Sequence, residues 1–96
     1  LVHLVEHAAE LGIDPTRVSV GGESAGANLA AVLTLVTRDR SGPPLIFQWL
    51  DVPGVDLTMS QPSVDRLGTG YGLTKQGIID FLAAEFGRCD ALIFFT

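Results

Sequence analysis

Apolar residues recur at two different periods along this chain. Leu1, Leu4, Val5, Ala8 and Leu11 fall at helical spacing, with Glu6 and Glu10 on other faces and Gly12 as a stop. Asp14-Pro15 then suits a tight helical turn, with Asp14 as cap and Pro15 at its first position. Val18-Ser19-Val20 is a short β run that feeds Gly21 and Gly22. From Ala25 to about Thr37 the chain is rich in Ala and Leu, with Asn28, Thr34 and Thr37 as polar interruptions. Ala27, Ala31 and Leu35, together with Leu29, Leu33 and Val36, make this stretch apolar around most of its circumference. That predicts a helix covered on more than one side. Arg38 to Pro44 is a loop by composition. Leu45-Ile46-Phe47-Gln48-Trp49-Leu50 reads as a mostly buried strand ending near Pro53-Gly54, with Phe47 and Trp49 assigned to the core rather than to a substrate platform. Residues 18–52 therefore spell strand, helix, strand, and the crossover length fits a right-handed parallel βαβ unit.

After Asp56 the pattern changes. Residues 57–72 are turn-rich, with Pro62, Gly68, Gly70 and Gly72, and lack a clear period. Their turn content makes them a candidate lid or acyl-pocket segment. Thr74 caps a helix from Lys75 to about Phe86 whose Ile78, Leu82 and Phe86 share a face, and Leu73 and Ile78 are placed to form a hydrophobic staple. Gly87 ends that helix. Ala91 to Phe95 is apolar enough for a strand. No internal repeat is visible.

Composition narrows the classes of function. The chain has 96 residues, 47% of them hydrophobic and 18% charged, which is globular rather than disordered composition. A net charge of -5 without a Lys/Arg cluster argues against a nucleic-acid partner and against an anionic membrane surface. No run approaches the length of a transmembrane segment. The one cysteine, Cys89, has no partner for an internal disulfide or a C-x-x-C site, so a reducing, cytoplasmic setting is the expectation. The first residue is Leu1, already inside a helical pattern, which suggests a piece of something longer.

The chemistry concentrates in Gly21-Gly22-Glu23-Ser24-Ala25-Gly26. Gly22-x-Ser24-x-Gly26 lies between a β run and a helical run, the context in which G-x-S-x-G puts a serine on a sharp strand-to-helix turn with its hydroxyl exposed. Gly22 and Gly26 leave room for that turn and for the helix to pass close to the strand. Three readings compete. The first is a nucleophilic serine for acyl transfer. The second is a glycine-rich βα turn with an incidental serine. The third is a phosphate- or nucleotide-binding βα module, against which Glu23 occupies the place of the second fingerprint glycine and no Gly-Lys-Ser/Thr follows.

The longer string separates them. Asp14-Pro15-Thr16-Arg17-Val18, followed by Gly22-Glu23-Ser24-Ala25-Gly26-Ala27-Asn28-Leu29-Ala30-Ala31, resembles the hormone-sensitive-lipase-like group of α/β-hydrolases. Those enzymes typically carry Asp-Pro-x-Arg-Ile/Val ahead of the serine strand and Gly-Asp-Ser-Ala-Gly-Gly-Asn-Leu-Ala across the elbow. Here Glu23 replaces the usual Asp, and Ala27 replaces the second usual Gly. Val52-Pro53-Gly54-Val55-Asp56 is similar to the Tyr-Pro-x-x-Asp stretch that ends the family's next strand. The likeness covers about residues 1–87.

The resemblance implies an α/β fold, namely a partial α/β-hydrolase with a parallel βαβ unit and flanking helices, residues 1–96 being the central part of one domain. It implies that Ser24 attacks a small acyl-ester substrate and that the backbone N–H of Ala25 is one oxyanion donor, with no cofactor and no metal. The family's upstream His-Gly-Gly segment, its later Asp-Pro-Leu-x-Asp carboxylate and its histidine have no counterpart here. His3 and His7 lie four apart before the serine, whereas the order in this fold is Ser, acid, His, so both are read as partly exposed helix residues. Asp51, Asp56, Asp65 and Asp80 are read as solvated, and Glu23 as part of the elbow geometry or a polar contact at the pocket edge, not as the general base. The expectation is an ester hydrolase whose base and acid lie elsewhere. A non-catalytic remnant of the fold is the alternative, and the oligomeric state is left open.

Overall fold

The computed structural model describes residues 1–86. Among them are five helices and two strands, and the chain divides into two compact units, Leu1–Val55 and a second that begins at Asp56. The predicted strand and tail after Phe86 lie outside the described residues.

The first unit opens with two short helices rather than one, α1 (Val2–Glu6) and α2 (Ala8–Leu11), broken at His7. The His3 carbonyl there accepts the His7 backbone N–H at 3.1 Å and has the His7 Nδ1 beside it at 2.8 Å. Gly12 stops α2 as expected, at φ 68. The turn at Asp14-Pro15 is not helical. Asp14 Oδ1 accepts from both the Thr16 N–H and the Thr16 hydroxyl, at 2.9 and 2.7 Å, and closes a single turn. Those bonds hold the Asp14 carboxyl below the ordinary carboxylate range.

β1 spans Ser19–Glu23 and β2 spans Phe47–Asp51, paired in parallel with Gly21 opposite Trp49 and Glu23 opposite Asp51. The predicted βαβ order is therefore present, with both strands shifted by one to three residues toward their C-terminal ends. β1 runs on through both glycines because Gly21 and Gly22 take ladder positions. The crossover helix α3 spans Ala25–Asp39, two residues beyond the predicted end. The Thr37 carbonyl is satisfied there by the Gly42 N–H at 2.7 Å.

α3 lies on one face of the sheet. Its buried contacts are small: Ala27 is 0% and Ala30 3% exposed. Gln48 Nε2 donates to the Thr34 hydroxyl at 2.8 Å, which in turn donates to the Ala30 carbonyl at 2.9 Å. The polar interruptions of α3 thus tie the helix to β2 and to itself. The prediction of cover on more than one side is not met among the described residues, since Leu29, Val32 and Val36 are exposed. Phe47 and Trp49 also differ from their core assignment, at 60% and 66% exposed. The reason is strand parity. Gln48 faces α3, so Phe47 and Trp49 project from the opposite face, where no described element of this unit packs.

In the second unit, Asp56 gathers the chain after it. One carboxylate oxygen accepts from Thr58 and the other from Ser60, each through both backbone N–H and hydroxyl. A short helix, α4 (Pro62–Arg66), then occupies a stretch expected to be turns alone; one and a half turns with Pro62 at its start give too few positions for a period to show. Lys75 bonds Asp65 through its ammonium group, and α5 spans Lys75–Phe86. Thr74 caps it as predicted, its hydroxyl accepting from the Gly77 N–H at 3.0 Å. The staple partner Leu73 is instead exposed.

Candidate active site

Ser24 occupies the single residue between β1 and α3. Its backbone has φ 54 and ψ -118. Those angles match the first central residue of a type II′ turn, a position normally filled by glycine. For a serine the conformation costs about 1–3 kcal/mol and must be held by its surroundings. The bonds that hold it are specific. The Ser24 N–H donates to the Asp51 carbonyl at 2.9 Å, anchoring the turn to the end of β2. The Ser24 carbonyl accepts from the N–H groups of Ala27 and Asn28, at 3.0 and 3.2 Å, and starts the helix.

Gly22 has a clear steric task. A Cβ there would stand 2.3 Å from the Gly26 carbonyl carbon and oxygen and 2.7 Å from the Ala27 nitrogen. Such distances are closed to any other residue unless the backbone moves. Gly26 is different, because a Cβ there would meet nothing within 4 Å. The close approach is therefore between the Gly22 Cα and the first turn of α3, with Gly26 contributing only its main chain.

The result is a serine on the outside of a sharp bend. Ser24 and Ala25 are both exposed. Helical geometry leaves the N–H groups of Ala25 and Gly26 without an intrahelical acceptor, so they are available to an external oxygen beside the serine. Next to the bend is an open depression lined by Gly21, Gly22, Glu23, Trp49 and Asp51. Glu23 lines this depression, with Asp51 beside it in the ladder. Because Gly21 and Gly22 belong to β1, no glycine-rich loop is present here to cradle a phosphate.

His3, in α1, and His7, at the junction of α1 and α2, have ring centroids 4.1 Å apart with planes tilted by 33°. No cluster of three or more metal-ligating side chains occurs among the described residues. No helix among them is long and apolar enough to cross a membrane.

Two residues of this region carry more than the sequence indicated. Asn28 makes a pair of bonds to one residue: its Nδ2 donates to the Gly54 carbonyl at 2.9 Å, and its Oδ1 accepts from the Gly54 N–H at 2.8 Å. Val52, directly after β2, has φ 42, which is unusual for a β-branched side chain. Asn28 was legible as a polar interruption on an apolar helix; Val52 was legible as the first residue of the Val52–Asp56 stretch, but its positive φ was not.

Comparison with known proteins agrees with this geometry. A family model described as the alpha/beta hydrolase fold matches residues 1–91. Carboxylesterase NlhH of Mycobacterium tuberculosis is 45% identical over 78 residues, covering 81% of this chain and 24% of its own length. Among solved structures, DphMB1 superposes with a TM-score of 0.82 at 36% identity, over 91% of this chain and 29% of that one. Carboxyl esterase 2 of the mycorrhizal fungus Tuber melanosporum superposes at 0.76 with 34% identity, over 84% of this chain and 27% of its own. The chain spans about a quarter of the length of the curated relatives it matches. It belongs to the α/β-hydrolase fold family, in its hormone-sensitive-lipase-like group.

Proposed function

We propose that this chain carries the nucleophilic centre of a carboxylic ester hydrolase acting through an acyl-enzyme. Ser24 Oγ attacks the carbonyl carbon of a small acyl ester while a histidine takes its proton. The tetrahedral intermediate collapses, the bond from carbonyl carbon to alcohol oxygen breaks, and the alcohol leaves with that proton. Water then repeats the attack and frees the acid. The Ala25 N–H donates to the developing oxyanion. The observation that carries this reading is the exposed Ser24 at φ 54 and ψ -118 between β1 and α3. The chemistry calls for no cofactor or metal.

The base and acid come from outside these 96 residues. The two histidines of the sequence, His3 and His7, precede Ser24, contrary to the order of this fold. Residues 1–96 are then the central part of one α/β-hydrolase domain, a reading supported by the family match across both compact units. The 96-residue chain alone should show little or no esterase turnover, because a serine hydroxyl without a base is a poor nucleophile at neutral pH. Ser24-dependent turnover by the purified 96-residue chain would overturn that.

The test is labelling by a fluorophosphonate in the longest natural polypeptide that contains this chain. The parent should label and hydrolyse a short p-nitrophenyl ester. Ser24→Ala should abolish labelling and lower kcat by about 10⁴ or more. Undiminished hydrolysis by Ser24→Ala would move the nucleophile elsewhere. The position of both histidines also favours a second reading, a non-catalytic remnant of the fold, and a parent that never labels would establish it.

A further inference from the structure

The hydrogen bonds around Ser24 close a ring. The Ser24 N–H reaches the Asp51 carbonyl at 2.9 Å. The chain continues through Val52 and Pro53 to Gly54, whose amide and carbonyl are both held by the Asn28 carboxamide at 2.8 and 2.9 Å. The Asn28 N–H returns to the Ser24 carbonyl at 3.2 Å. Both non-glycine residues with positive φ at the strand ends, Ser24 at 54 and Val52 at 42, lie on this ring. Strained backbone persists only where neighbouring structure over-determines it. The one side chain that closes the ring is Asn28.

We infer that Asn28 is a positioning residue for the serine turn. It ties the loop after β2 to the first turn of α3, and so fixes Ser24 and the Ala25 N–H relative to the end of β2. A shorter or charged side chain leaves β1 and α3 in place but lets the Asp51–Gly54 segment swing, taking with it the acceptor of the Ser24 N–H. Reaction rates fall steeply when a nucleophile is misplaced by a fraction of an ångström to an ångström. Ground-state capture of a small ester in an open depression is much less sensitive to that shift. Asn28 touches no reacting atom; it acts through Ser24. The inference rests on the ester-hydrolase reading for its kinetic consequence and on the ring alone for its structural one.

The experiment uses Asn28→Asp and Asn28→Ser in the longest natural polypeptide containing the chain. Asn28→Asp keeps the acceptor for the Gly54 N–H but sets an oxygen against the Gly54 carbonyl, and Asn28→Ser shortens the reach. With kcat expressed per fluorophosphonate-titrated site, both should lose about 10- to 100-fold in kcat, with KM within about twofold. Amide hydrogen exchange should accelerate together at Gly54 and Ser24, about tenfold or more. A kcat per titrated site within twofold of the parent overturns the inference, as does faster exchange at Gly54 with Ser24 unchanged. If the parent fails to label, the hydrolase reading falls, and the paired exchange still decides whether Asn28 holds the turn. If neither variant folds, the unmodified protein decides it: equal protection at Gly54 and Ser24 through one opening supports the ring, and protection differing by more than tenfold overturns it.

Discussion

The two strands of the first unit end alike and continue differently. β1 leaves Glu23 through Ser24 at φ 54, and β2 leaves Asp51, its ladder partner, through Val52 at φ 42. After Ser24 the chain enters a fifteen-residue helix that packs on the sheet. After Val52 it enters an irregular loop held by the Asn28 carboxamide. The first bend is made possible by the missing side chain of Gly22, and the second is retained by a side chain from another element. A bend enforced by sterics leaves a motif in the sequence. A bend held by a partner 26 residues away leaves only a likeness, Val52-Pro53-Gly54-Val55-Asp56, that does not name the partner.

The largest effect expected from breaking this arrangement is at Gly22. Gly22→Ala drives a Cβ to 2.3 Å from the Gly26 carbonyl, so α3 must lift off β1. A loss of about 3 kcal/mol in unfolding free energy is expected, at the upper end of ordinary overpacking. Gly26→Ala is the control within the same motif. Its Cβ meets nothing and the residue is helical, so a gain of about 0.5 kcal/mol is expected from helix propensity. Denaturant melts of the two variants decide the comparison, and equal losses would mean that both glycines serve the same steric purpose.

The next effect separates strain kept for chemistry from strain kept for shape. Ser24→Gly relieves a backbone that favours glycine and should raise stability by about 1 kcal/mol, net of glycine's added unfolded-state entropy, while fluorophosphonate labelling disappears. Val52→Gly should gain a smaller amount, about 0.5 kcal/mol, because an exposed valine gives up little burial when it is removed. Labelling should survive in that variant. A lower melting midpoint for Ser24→Gly would show that the hydroxyl itself stabilises the fold.

How much of this was readable follows from range along the chain. The helix at Ala25–Asp39, the Thr74 cap and the parallel strand order rest on local periodicity or local capping, and they were legible. The serine turn was legible because Gly22 and Gly26 flank it within four residues. Phe47 and Trp49 were misassigned because an apolar run shows that a strand is apolar on both faces, not which face this chain covers. α4 and the break at His7 escaped because each is shorter than the window that reveals a period. Asn28 drew notice as a polar residue, but its partner at Gly54 is set by tertiary structure alone.

The smallest expected effect tests a third bend, in the second unit, where Met59 has φ 54. Here the holding group is charged. Hydrogen bonds from Ser60 first and Thr58 next lower the Asp56 carboxyl to about 2, beneath the ordinary aspartate value near 3.9. A depressed folded-state pKa means that the carboxylate's contribution is fully present above the unfolded value and is lost as pH falls through the folded one. The bend should therefore stay intact above about pH 4 and loosen progressively toward pH 2. Ser24 and Val52 are held by backbone and carboxamide groups that do not titrate in that window. A carbon-detected NMR titration should place the Asp56 midpoint near 2, with the Thr58 and Ser60 amides shifting alongside it. The Ser24 and Gly54 amides should not follow that curve. A midpoint near 4 would show that the hydroxyl contacts are too weak to bias the carboxylate, and the bend at Met59 would then need another support.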